Sequence, residues 1–150
     1  MFKLLLFLHL LAAVFAIGPL VGAASAAARA LRTSDAAAAT SAARTVKIYS
    51  YASVVVVVLG FGLMSATEPG SSSDHVADFG ETWIWLSLVL WVAAVAVALR
   101  GLEPALRQAA TTIAQGSPVA TMTGRVAAFG GATALLYAVI VALMVYQPGG

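Results

Sequence analysis

The sequence predicts an all-α membrane protein in which four transmembrane helices form an up-down bundle. Of its 150 residues, 61% are hydrophobic and only 9% are charged, whereas a soluble domain carries roughly 25% charged residues. Four windows of about 18 to 25 residues also contain no charged residue, and a helix needs ~20 apolar residues to cross the hydrocarbon core of a bilayer. We therefore expect a single transmembrane domain, residues 1–150, with helices at about 2–24, 48–66, 82–100 and 126–146.

The first two of these segments each have an alternative interpretation. Met1-Phe2-Lys3 followed by an apolar run, with Ala24-Ser25-Ala26 behind it, is similar to a cleavable secretory signal. The run exceeds the ~7–15 apolar residues of such a signal, so we expect a transmembrane helix. The valines of Val54–Val58 favour a strand in water. A lone strand leaves its backbone polar groups unpaired in lipid, so a helix is predicted.

The distribution of charge predicts the orientation of the bundle. The loops after the first and third helices contain every Lys and Arg except Lys3, while the loop between the second and third helices contains four acids and no Lys or Arg. Short basic loops stay on the cytoplasmic side of a membrane. We therefore predict that both termini and the acidic loop face outward (N-out/C-out), in a multi-pass protein of the bacterial inner membrane.

Both basic connections are expected to contain helix. The alanine-rich segment 28–47 favours continued or restarted helix because alanine is the best helix former, with Thr33 or Ser34 available as an N-cap. Glu103-Pro104 can begin a short interfacial helix that reaches Ala114, because proline is favourable in a first helical turn.

His9 is the first candidate site residue, because it lies well inside the first apolar segment and the other hydrophobic segments have no ionisable residue in the middle. Ionisable residues within membrane segments are costly and therefore suggest function. A neutral imidazole can bind haem iron or copper. The alternative is a structural histidine that hydrogen-bonds a neighbouring helix or reaches the nearby interface.

The acidic loop is a second candidate site. His75 lies there with Asp74 and Asp78, and carboxylates with imidazole suit Zn, Cu or Mn. The spacing matches no specific metal motif, and a solvated loop is the competing interpretation. His9 and His75 could also form a pair of axial haem ligands if the loop folds back into the bundle.

Small residues at four-residue spacing indicate where helices can approach closely. The first helix carries Ala12 with Ala16 and Gly18 with Gly22. The fourth helix carries the longest such series: Gly130, Ala134, Ala138 and Ala142. We expect the tightest helix contact of the bundle along this series.

Several classes of chemistry lack support in the sequence. There is no cysteine, which removes disulfides, thiolate metal sites and a cysteine nucleophile. No nucleophile elbow and no phosphate-cradling glycine loop occurs. The net charge of +2 is explained by membrane orientation, so no nucleic-acid partner is expected.

The opening Leu8-His9-Leu10-Leu11-Ala12-Ala13-Val14-Phe15, with glycine shortly after, resembles several small bacterial membrane families. One is a predicted integral membrane family of unknown function, which the chain resembles over most of its length. The first helix is also similar to that of copper-resistance D-like proteins and HemJ-like protoporphyrinogen oxidases. In those families the corresponding histidine is implicated in haem or metal binding, and this implication carries over to His9 alone.

The sequence favours a non-enzymatic integral membrane protein that acts by associating with itself or with a larger membrane complex. The small-residue faces of the first and fourth helices would supply the contacts. The first alternative is a haem- or copper-binding membrane protein that uses His9. The second is an oligomeric transporter of ions or small solutes.

Overall fold

A computed structural model describes residues 1–66 and 80–148, and these are helical apart from short connections. The helices are α1 (Phe2–Arg32), α2 (Ala36–Met64), α3 (Thr82–Val97), α4 (Glu103–Ala114) and α5 (Ala120–Tyr146). A π-helical turn, Ala98–Leu102, joins α3 to α4 without a break. Within these two ranges, four helical segments are long and apolar enough to cross a membrane: α1, α2, the continuous Thr82–Ala114 helix and α5. The prediction of an all-α protein with four such helices is confirmed.

The α1–α2 hairpin is longer than its two apolar cores, because both helices continue through the alanine-rich segment. Only Thr33, Ser34 and Asp35 separate them. The prediction of Thr33 or Ser34 as N-cap is wrong: Asp35 has extended backbone angles and its carboxylate accepts a hydrogen bond from Ala38 N at 2.9 Å. Ser34 instead has φ +50°, which makes the turn. The side chain of aspartate is short, so at the last non-helical residue its carboxylate can reach the free backbone N–H groups of the first helical turn.

The expected helix from Glu103 to Ala114 is confirmed, but it does not begin after a break. The π-turn Ala98–Leu102 accommodates an additional residue, and such turns occur mostly as single turns inside longer helices. Pro104 at the second position of α4 therefore lies inside a continuous helix, where it has no backbone N–H to donate. Gly116 follows the end of the segment with φ +71°.

The bundle is most tightly packed at the end that contains the α1–α2 turn. α1 packs along α2, α5 packs against both α1 and α3, and α4 packs against α2. The buried residues at this end are mostly alanine, including Ala27, Ala39, Ala43 and Ala109. Methyl-sized side chains allow the helix backbones to approach closely. Close backbone approaches between α2 and α3 are few, so larger side chains bridge these two helices.

Candidate functional site

His9 lies between α1 and α2 and is only 8% exposed. Its Nδ1 is 3.0 Å from the backbone carbonyl oxygen of Val56. Because a carbonyl can only accept, Nδ1 carries the proton and donates, and the neutral ring keeps its lone pair on Nε2. Nε2 has no hydrogen bond within residues 1–66 and 80–148.

Gly60 provides the space that the imidazole occupies. A Cβ atom added at Gly60 would lie 3.2 Å from His9 Cε1 and 3.6 Å from Nδ1. Contacts of 3.2 Å are closer than carbon atoms ordinarily adopt. The imidazole therefore connects α1 to α2 twice, by a hydrogen bond at Val56 and by close packing on the bare backbone one turn later.

A cluster of hydroxyl and aromatic side chains lies deeper in the bundle, and the sequence analysis did not identify it. Trp91 Nε1 on α3 donates to Ser53 Oγ on α2 at 3.0 Å, and Ser53 Oγ donates to the carbonyl oxygen of Ser50 at 2.7 Å. The Tyr137 hydroxyl on α5 lies near Ser53 without meeting hydrogen-bond geometry. Ser53 thus links α2 to α3 at the level where their backbones are apart.

Spacing within each helix was the available signal for this cluster. Ser50 and Ser53 lie three residues apart on α2, and Ser87 and Trp91 lie four apart on α3, so each pair shares a helix face. The hydroxyls of Ser50, Ser87 and Tyr137 are buried without a partner in the described part of the chain. Within the described ranges, none of these hydroxyls forms a hydrogen bond with the His9 ring, so the cluster does not have the serine–imidazole pair of a nucleophilic site.

The candidate metal residues His75, Asp74 and Asp78 lie outside the described residues. His75 is also the second histidine of the possible haem pair with His9. Within the described ranges, no group of three His, Cys, Asp or Glu side chains is placed to hold a metal ion. His9 can therefore contribute one ligand from this part of the chain.

The small residues that were predicted as helix contacts on α1 and α5 lie partly in the interior and partly on the surface. On α1, Ala16 is 5% exposed and Ala12 is partly buried, whereas Gly18 and Gly22 are exposed. On α5, Gly130 is buried and Ala134 is partly buried, whereas Ala138 and Ala142 are exposed. A Cβ added at Gly130 would lie 2.9 Å from Ala24 Cβ. Among the four small residues predicted on α5, Gly130 is therefore the one at which α1 of the same chain approaches closely.

A groove of about 460 Å³ opens between the first turns of α2 and the surface of α4. Its walls are mainly alanine methyl groups, with Arg107 at the edge. Arg107 is ion-paired with Glu103, its neighbour one turn earlier. The groove lining thus contains one paired cation and two hydroxyls, those of Thr40 and Thr111, which donate to the backbone carbonyls of Ala36 and Gln108.

Comparison with known proteins assigns the chain to a family by sequence. The model of the family described as "Predicted integral membrane protein (DUF2269)" matches residues 3–148. No curated protein and no solved structure matches the chain. The matched range contains the four membrane-length helices except for Phe2 of α1, and it contains His9 and Gly130. The chain belongs to this family of predicted integral membrane proteins.

Proposed function

We propose that the protein is a non-enzymatic membrane component that associates with itself, in the bacterial inner membrane, through a surface of α5. The observation that carries the proposal is an exposed small-residue face on that helix, formed by Gly124, Gly131, Ala138 and Ala142. All four are exposed, and a Cβ added at either glycine would meet no atom within 4 Å. Such a face lets a second helix approach closely in lipid.

The spacing within this face supports a helix-helix contact. Gly124, Gly131 and Ala138 recur every seven residues, and Ala142 follows one turn later. A seven-residue repeat keeps one seam of a helix facing its partner over several turns. This face differs from the Gly130 side of α5, which is already used against α1.

The use of His9 within the chain also supports a non-catalytic role. Its Nδ1 is engaged by Val56, and its ring fills the space left by Gly60. An interhelical hydrogen bond of this kind stabilises a membrane bundle by about 0.6–2 kcal/mol. The ionisable group that suggested chemistry thus has a packing role that accounts for its position.

Self-association is tested by energy transfer between two differently labelled populations of the full chain reconstituted into liposomes. The double substitution Gly131→Leu with Ala138→Leu is expected to weaken association about tenfold, equivalent to about 1.4 kcal/mol, because leucine side chains prevent close approach. Gly62→Leu is the matched control, since Gly62 is exposed on α2 with no atom within 4 Å of an added Cβ. Equal loss in the control, or no transfer in the parent protein, contradicts the proposal.

A second candidate function, haem or copper binding through His9, is favoured by the tautomer of the ring. A metal-bound histidine usually donates its other ring N–H to a carbonyl or carboxylate, and Nδ1 does so to Val56. Nε2 then has the lone pair suited to an axial ligand. His9 would supply one nitrogen ligand, Nε2, to haem iron or copper, and a copper ion would need further ligands from the acidic loop or from a second chain.

The two candidates are separated by the absorption spectrum and metal content of protein purified in mild detergent. With a purely structural His9, we expect no Soret band and no stoichiometric metal, and His9→Ala lowers only thermal stability. A Soret band or bound copper that disappears in His9→Ala, and persists in the control Gly62→Leu, would replace the structural role by a cofactor role.

A further inference from the structure

The exposed cations at the α1–α2 turn end of the bundle form a band around the helices. We call this band the basic collar and define it as Arg29, Arg44, Lys47, Arg100 and Arg125. All five side chains are exposed, and they come from α1, α2, the π-turn and α5. The collar therefore encircles the bundle and is not confined to one helix.

Close contacts between helices place these residues at similar heights. A Cβ at Gly130 would lie 2.9 Å from Ala24 Cβ and 3.9 Å from Leu102 Cδ1, so these three residues share one level. At 1.5 Å per residue, Arg29 and Arg125 lie about 7.5 Å from that level toward the turn, and Arg100 about 3 Å away on the other side.

Helix α2 adds two cations to the same band. α1 and α2 run antiparallel from the turn, so Arg44, ten residues after Ser34, is level with Ala24, ten residues before it. Lys47 follows about 4.5 Å further into the membrane-length part of α2. The collar thus occupies a band about 12 Å high, which matches a headgroup layer together with the reach of long cationic side chains.

The chain supplies little negative charge to this band. Of the acids at this end, Glu103 is paired with Arg107 and Asp35 caps α2 through Ala38 N. No collar residue forms a salt bridge within the described ranges. The collar is therefore a cationic surface without an acidic partner in the described part of the chain.

The surroundings of the collar indicate which anion can reach it. Ile48 and Tyr51, next to Lys47 on α2, are 53% and 60% exposed. An apolar surface beside the cations favours a ligand with a hydrocarbon part below its negative headgroup. We propose that the basic collar binds anionic phospholipids, with their phosphates at Arg44, Lys47 and Arg100 and their acyl chains along α2.

The proposal is tested by titrating the full chain in detergent with phosphatidylglycerol or phosphatidylcholine and counting retained lipids by native mass spectrometry. Each cation near a membrane surface contributes about 1 kcal/mol, or about fivefold, to anionic lipid binding. Arg44→Gln with Lys47→Gln is therefore expected to raise the apparent Kd for phosphatidylglycerol about 25-fold. Added salt should lower the preference over phosphatidylcholine, because exposed charges are screened.

The matched control removes two cations that lie outside the collar. Lys3→Gln with Arg32→Gln has the same change in charge, at the opposite end of the bundle and at the tip of the hairpin, and should leave the Kd within twofold. Equal weakening in both double variants, no preference for phosphatidylglycerol, or its displacement by a soluble polyanion such as heparin would overturn the proposal. If the α2 variant fails to fold, Arg29→Gln with Arg100→Gln gives the same test.

Discussion

Gly130→Ala is expected to lower the free energy of unfolding by about 1–3 kcal/mol, the usual cost of overpacking a filled interior. The new Cβ would lie 2.9 Å from Ala24 Cβ and 3.7 Å from the Ala24 Cα. Because Ala24 Cβ is bonded directly to the backbone and cannot rotate away, the contact of 2.9 Å means that the added methyl group must push α1 and α5 apart. Thermal unfolding of the protein in detergent, followed by near-UV circular dichroism, measures the loss.

Variants at Gly131 and at Ala24 test whether the loss of stability comes from the contact between Gly130 and Ala24. Gly131→Ala adds the same methyl group to the lipid-facing side, where no atom lies within 4 Å, and should change stability by less than about 0.5 kcal/mol. The combination of Gly130→Ala with Ala24→Gly moves the methyl group to the other helix and should recover most of the loss. Equal effects at Gly130 and Gly131, or no recovery in the swap, would show that the α1–α5 contact is not where the structure places it.

Gly101→Ala is expected to destabilise the protein by a similar or larger amount, because its Cβ would lie 2.6 Å from Phe129 Cδ1 and 2.9 Å from Cγ. The ring cannot simply bend away, since Cγ is its attachment point. The Arg125 guanidinium also lies over this ring, 5.8 Å from its centroid. Gly101 lies inside the π-turn, so displacing Phe129 would alter the connection between α3 and α4. The same unfolding measurement applies.

A double-mutant cycle isolates the Gly101–Phe129 contact. Phe129→Ala removes the ring, so Gly101→Ala should cost little in that background, with a coupling energy of about 0.5–3 kcal/mol between the two positions. Gly62→Ala, on the exposed surface of α2, controls for the effect of alanine in place of glycine in a helix. Additive effects of the two substitutions would mean that the steric contact does not limit this position.

The four spans were predictable because lipid leaves few structures available. An apolar segment of membrane length must pair its own backbone groups, and a helix does so regardless of the valines in Val54–Val58. The helical connection at Glu103–Ala114 was also predictable, from proline in a first turn and the alanines that follow. The π-turn was not, because an inserted residue depends on how α3 meets α5 and how α4 meets α2.

Less of the candidate site than of the four spans could be predicted from the sequence. His9 could be singled out from the sequence, since Lys3 and Arg100 lie at the ends of their predicted spans and His9 lies further inside. Its partners Val56 and Gly60 could not, because a backbone carbonyl and a missing side chain leave no polar signature at positions 47 and 51 residues away. The spacing of Ser50 with Ser53 and of Ser87 with Trp91 indicated one polar face on each helix, but it did not indicate that Trp91 donates to Ser53.

The sequence by itself determined that this is a four-span helical membrane protein with its basic residues gathered at one end, because composition and charge-free length decide what can lie in lipid. Only the tertiary structure decided which residues of each helix face inward. Ala134 and Gly130 turn toward the bundle, while Ala138 and Ala142 in the same series face lipid. Hydrophobicity cannot make that distinction in a membrane, because interior and surroundings are equally apolar; packing of one helix on its neighbours does.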